Sequence, residues 1–120
     1  MILIDSWIWL EFFAQGKKSE QSKAILEILV NGKEQGFISA FALTEVKYRL
    51  GILSPQLAHE QIHLMEIFPN LTIMPVTAEI ARLAADLRLK YYSSKRQVSY
   101  GDMIHLATAL FCGCETLFSG

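Results

Sequence analysis

The sequence predicts an α/β fold, a three-layer α/β/α sandwich built on a short parallel sheet. Two observations carry that prediction. Short apolar runs alternate with longer amphipathic segments along the chain, and the apolar runs show no period-2 alternation of polar and apolar residues. Strands that are apolar throughout are covered on both faces, as in parallel sheets with helical crossovers. In such sheets ligands bind outside the carboxyl ends of the strands. Residues that directly follow a strand therefore come first in a search for chemistry.

The elements follow in order. Met1–Ile4 is an apolar run that stops at Asp5, as a buried strand does. Ser6–Ala14 and Ser19–Asn31 read as helices, the second with Ile25, Leu26, Ile28 and Leu29 on one side and Asn31-Gly32 as its stop. Gly36–Ala40 is a second short strand. Phe41–Leu53 carries Leu43, Val46, Leu50 and Leu53 at helical spacing. Ser54-Pro55 opens a further helix to about Phe68, with proline at its first position. Leu71–Met74 is a third strand. Thr77–Tyr92 is an amphipathic helix whose Ile80, Leu83, Ala84, Leu87 and Tyr91 share a face. Gly101–Cys112 is another helix, and Glu115–Phe118 a fourth strand.

Composition narrows the function classes. The chain has 120 residues, 52% of them hydrophobic and 19% charged, so a disordered chain is excluded and one domain over residues 1–120 is expected. The longest nearly apolar run, Phe37–Leu43, falls far short of the roughly 20 residues of a membrane helix. No basic region precedes the first apolar run, so no signal peptide is expected and a cytoplasmic location fits. Cys112 and Cys114 lie one residue apart and imply no disulfide framework. The net charge of −1 does not mark a nucleic-acid binder, but the charge is uneven. The last five basic residues, Arg82, Arg88, Lys90, Lys95 and Arg96, form a strip able to track a phosphate backbone. The same strip also reads as a solvated helix face.

Three carboxylates stand where a site would be. Asp5 ends the first strand, Glu45 lies one turn into the helix after the second, and Asp102 opens the helix before the fourth. A hard divalent cation takes oxygen ligands of this kind, and such metals activate water and offset phosphodiester charge. Each acid has a plainer reading too. Ser99-Tyr-Gly-Asp102 fits a capping-box variant, and Glu45 can pair with Arg49 at i,i+4. Asp5, ending a buried strand, needs a partner or a metal.

Four segments carry a family resemblance: Met-Ile-Leu-Ile-Asp-Ser, Ile-Ser-Ala-Phe-Ala-Leu-Thr-Glu-Val, Tyr-Gly-Asp-Met-Ile-His-Leu-Ala-Thr-Ala-Leu and Thr-Leu-Phe-Ser. In this order, over essentially the whole chain, they resemble the PIN-domain ribonucleases, and among them the VapC-like toxins of prokaryotic toxin–antitoxin pairs. The resemblance implies a PIN-like fold and a Mg²⁺- or Mn²⁺-dependent endoribonuclease. Asp5, Glu45 and Asp102 would be its catalytic and metal-holding acids, with Ser6 and Ser119 in support. It implies an RNA substrate, a homodimer, and an antitoxin protein whose tail fills a groove beside the site. Trp7, Trp9, Phe12 and Phe13 are candidate groove residues, and all four also read as core packing. The family places a fourth acidic residue one position beyond Gly120, followed by a further helix and an edge strand. With three acids, weak metal binding and impaired activity are expected.

Two other readings remain open. One is a catalytically impaired PIN-fold binding module that pairs with an antitoxin-like protein. The other rests on His59-Glu60-Gln61-Ile62-His63, which matches the H-E-x-x-H pattern of zinc peptidases. That reading needs a third ligand: Glu66 is too close in sequence to fold back, and Glu79 follows a strand. His105, three residues after Asp102, reads as a packing or hydrogen-bonding residue.

Overall fold

The structure, a computed structural model of the chain, describes residues 1–118. Ser119 therefore lies outside the described residues. The strands are β1 (Ile2–Ile4), β2 (Gly36–Ser39), β3 (Leu71–Met74) and β4 (Thr116–Phe118). The helices are α1 (Ser6–Phe13), α2 (Ser19–Val30), α3 (Ala40–Leu53), α4 (Pro55–Glu66), α5 (Ala78–Tyr91) and α6 (Tyr100–Cys112). Each predicted element is present, with ends that differ by a residue or two.

Short polar residues at the element junctions explain where the helices start. The side chains of Asp5, Ser39, Ser54, Thr77 and Ser99 each accept a backbone N–H from the first turn of the helix that follows. Each satisfies a donor that has no partner inside its helix. Pro55 adds its fixed φ at the start of α4. Gly113, at φ +70°, ends α6 in the left-handed conformation that glycine adopts without strain.

The sheet is parallel throughout, in the order β3-β2-β1-β4. The chain steps outward from β1 to β2 to β3, then crosses back to lay β4 on the other side of β1. The strand order reverses between β1 and β4, and the carboxyl end of that junction is where open α/β sheets hold ligands. The Asp5 N–H donates to the Phe118 carbonyl there, at 3.1 Å.

Two apolar clusters support this arrangement. Ile2, Ile4 and Ile38 of the sheet pack with Trp9, Leu29, Val46, Leu50 and Met65 from α1 to α4. Ile80 and Ala84 of α5 pack against Met103 and Ala107 of α6. Among the described residues no helix is long and apolar enough to cross a membrane.

Gly36 marks the closest approach in the first layer. A Cβ there would lie 2.6 Å from a methyl of the fully buried Leu29. Gly36→Ala is expected to destabilise the fold by roughly 1–3 kcal/mol, the usual cost of overpacking. Chemical denaturation checks this, and an unchanged midpoint would show that Leu29 has room to move.

Candidate active site

The carboxyl end of β1 opens into a cavity of about 540 Å³. Asp5, Glu45 and Asp102 all line it, from the end of β1, from α3 and from the first turn of α6. Ser6, Trp7, Arg49, Arg96 and His105 line it too. Three acids that are 40 or more residues apart in sequence thus share one opening.

Their environments differ. Asp5 is 7% exposed, and its Oδ1 accepts the Trp7 N–H at 2.9 Å. Burial pushes its carboxyl above the ordinary aspartate range, and the nearby Asp102 adds to this. His105 and the backbone N–H groups of Trp7 and Ile8 pull the other way without prevailing. Glu45 is half-buried. Burial by itself would raise its carboxyl, but the hydrogen bond and charge of His105 outweigh that, helped by Ser6 and Arg49, and hold it below the usual glutamate range. The His105 Nε2–H donates to Glu45 Oε1 at 2.7 Å. His105 is 3% exposed, and its buried Nδ1 has no partner among the described residues. Asp102 is exposed, and its N–H donates to Ser99 Oγ at 3.0 Å. The serine half of the expected capping motif therefore forms and leaves the carboxylate facing the cavity.

The donor set suits a hard divalent cation in its chemistry. It offers carboxylate oxygens, one of them on a buried group whose ionisation a neighbouring carboxylate opposes. The side chains do not converge: among the described residues no three of His, Cys, Asp and Glu stand close enough together to hold one metal ion. Asp5 Oδ1 is turned to its own helix and Glu45 Oε1 to His105.

A family model for the PIN domain matches residues 2–120. The chain belongs to the PIN-domain family. Solved structures agree on the fold of this PIN domain. The Mycobacterium tuberculosis toxin VapC20, described as cleaving the sarcin–ricin loop, superposes with a TM-score of 0.81 at 16% identity, over 100% of this chain and 89% of that one. VapBC2 from Rickettsia felis, bound to a DNA fragment from its promoter, gives 0.77 at 16% identity over 100% and 89%. A toxin–antitoxin complex from Klebsiella pneumoniae gives 0.70 at 23% identity over 100% and 87%. No curated protein matches.

The remaining candidate positions of the PIN domain divide. Trp9 is fully buried, packed edge-on against Phe68 with ring centres 5.0 Å apart. It is a core residue and presents nothing to a groove, which corrects the expectation for that position. Trp7, Phe12 and Phe13 are half-buried, and Trp7 borders the cavity. Of the basic strip, Arg96 reaches the cavity rim, whereas Arg88 is turned to the Val98 carbonyl and two tyrosine rings. Arg82, Lys90 and Lys95 are exposed. His59, Glu60 and His63 are exposed on α4, with Glu60 accepting from Gln56 Nε2 at 2.9 Å, and among the described residues no third ligand joins them. The His105–Glu45 contact spans 60 positions of sequence and had no local signal.

Proposed function

We propose that this PIN domain is a metal-dependent endoribonuclease, the toxin half of a toxin–antitoxin pair. The observation that carries the reading is the gathering of Asp5, Glu45 and Asp102 around one cavity at the strand-order reversal of a PIN scaffold. Asp5, Glu45 and Asp102 would hold Mg²⁺ or Mn²⁺. A cation held there would supply the activation of a water and the offset of the charge that develops on the phosphodiester.

The chain's own residues do the rest. Arg49 and Arg96 on the cavity wall draw the phosphate toward the acids, which would otherwise repel it. Ser6, buried beside Glu45, offers a hydroxyl to orient that carboxylate or a water. His105, on the same cavity wall, holds Glu45 through the contact to Oε1 and so positions that carboxylate. Ser119 is proposed to assist from beyond β4. The partner is proposed to be an antitoxin protein, with Trp7, Phe12 and Phe13 in its groove, and the active form a homodimer.

The test is cleavage of total RNA with Mn²⁺ or Mg²⁺ and after chelation by EDTA. Cleavage is expected with either metal, none with EDTA, and recovery on adding Mn²⁺. Cleavage that ignores EDTA would end the metal assignment. One observation favours the second reading, a binding module with impaired catalysis: the carboxylates do not converge, and Glu45 is engaged by His105. Calorimetric Mn²⁺ titration separates the two, since a pure module takes up no metal while still binding its antitoxin.

A further inference from the structure

Next to the acid cavity lies a second pocket of about 330 Å³, lined by Ala85, Arg88, Leu89, Tyr92 and Tyr100. Its frame is set by Arg88. The Arg88 Nε–H donates to the Val98 carbonyl at 3.2 Å, and its guanidinium lies 4.1 Å from the ring centre of Tyr100 and 4.7 Å from that of Tyr92. One arginine therefore fixes two aromatic rings through their inner faces. The outer faces stay open: Tyr100 is 64% exposed, Tyr92 45% and Leu89 82%. Scattered apolar residues on a surface need no explanation, but a cluster around a pocket marks a binding site.

The charge around the pocket indicates what binds. Arg88 is the charged residue of its lining, and Lys90, Lys95 and Arg96 follow it in the chain between Asp86 and Asp102. Cations that meet a phosphate backbone, beside open aromatic faces on which bases stack, are how proteins hold single-stranded nucleic acid. A site for phosphate alone would not need the tyrosines. A site for an apolar peptide would not be built around a guanidinium, on a stretch that also carries Lys90, Lys95 and Arg96.

The position links this pocket to the first. Arg96 and Val98 line the acid cavity, and the Val98 carbonyl is the group that anchors Arg88. Tyr100 precedes Asp102 by two positions, and residues so spaced do not share a helix face. The two pockets therefore open on either side of the segment from Arg96 to Tyr100. A strand with one phosphate at the acids and a path along Arg96 is led toward the tyrosines.

We propose that the Arg88–Tyr92–Tyr100 pocket is a base-stacking subsite, which takes an unpaired nucleobase of single-stranded RNA flanking the phosphate at the acids. The proposal rests on the ribonuclease reading above. It assigns a base contact to these three residues, at which the base is splayed out to stack.

Fluorescence anisotropy on the full chain tests it, with Asp5→Asn as background to keep RNA intact. The probes are a short labelled RNA of mixed sequence and an abasic strand of equal length. Tyr100→Ala is expected to weaken RNA binding about tenfold, the usual loss of one stacked base. It should leave the abasic strand unchanged, and Tyr100→Trp should restore RNA binding. Equal losses on both strands, or no loss on RNA, would overturn the subsite alone. So would Tyr100→Ala weakening capture of an acidic peptide while RNA binding holds, which would give the patch to a protein partner. A chain that binds neither strand would defeat the ribonuclease reading together with the subsite.

Discussion

Asp5→Asn is expected to cut RNA cleavage by about a hundredfold or more, the upper end of what loss of a residue supporting a metal site costs. The same substitution is expected to raise the melting temperature at neutral pH. The two effects share one cause. The Asp5 carboxyl is buried at the end of β1, and that burial, with Asp102 nearby, raises its pKa. A carboxyl with a raised folded-state pKa binds more protons folded than unfolded. Stability therefore falls as pH climbs through the interval between the ordinary aspartate value and the folded one, and the cost is fully present above it. Asparagine removes the charge and keeps an oxygen that can accept the Trp7 N–H, so the α1 cap survives. Asp5→Ala removes the charge and the cap together, and should lie about 1 kcal/mol below Asp5→Asn.

Melting curves of the three proteins at pH 7 and at mildly acid pH check the stability half. The advantage of Asp5→Asn over wild type should shrink as the pH drops toward the ordinary aspartate range. An Asp5→Asn protein that cleaves RNA as well as wild type would remove Asp5 from the chemistry. One that melts lower would mean that Asp5 is held by partners stronger than its burial is costly. The expected combination, more stable and inactive, is the pattern of a residue kept for its charge at a cost to the fold.

The legibility of this fold in its sequence has a local origin. Ser54-Pro55 and Ser99 are caps that act within three residues, and Gly113 acts on one residue, so their effects can be read without tertiary context. Asp5 was legible for the same reason, as a charge at the end of an apolar run. The register of the sheet was not legible. Nothing near Ile2 says that it pairs with Gly36 on one side and Thr116 on the other. Since that pairing creates the strand-order reversal, sequence could nominate the three acids and place them near one sheet edge, but not draw the cavity they line or the other residues on its wall. The partner of Glu45 shows the limit well. Local spacing offered Arg49, one turn away. The structure offers His105, from a helix that reaches Glu45 only after the sheet has closed, and Arg49 is left to line the cavity wall. The tyrosine pocket was hidden in part: Arg88 and Tyr92 lie four positions apart at the end of α5, a spacing sequence shows, but the contact of Arg88 with Tyr100 needs α5 and α6 side by side.

Trp9→Ala is expected to cost about 3–5 kcal/mol, the usual loss for deleting a buried aromatic side chain. That is a large part of the roughly 5–15 kcal/mol that holds a domain together. The melting temperature should fall by roughly 10–25 °C. Trp9 is completely buried and meets Phe68 edge-on at 5.0 Å and Phe13 at a tilt at 5.9 Å. It belongs to α1, the eight-residue helix that Asp5 caps, and α1 is too short to persist without its packing. Loss of Trp9 therefore loosens the helix on which the position of Asp5 depends. The Trp9 Nε1–H is buried with no acceptor among the described residues, so the indole contributes packing but no hydrogen bond to them. Trp9→Phe keeps a ring against Phe68 and removes that unpaired donor, and should stay within roughly 1–2 kcal/mol of wild type. A groove residue would behave in the opposite way. Its alanine variant would keep the melting temperature and lose the partner, whereas Trp9→Phe, with the core intact, should match wild type in assays of the proposed antitoxin binding and RNA cleavage.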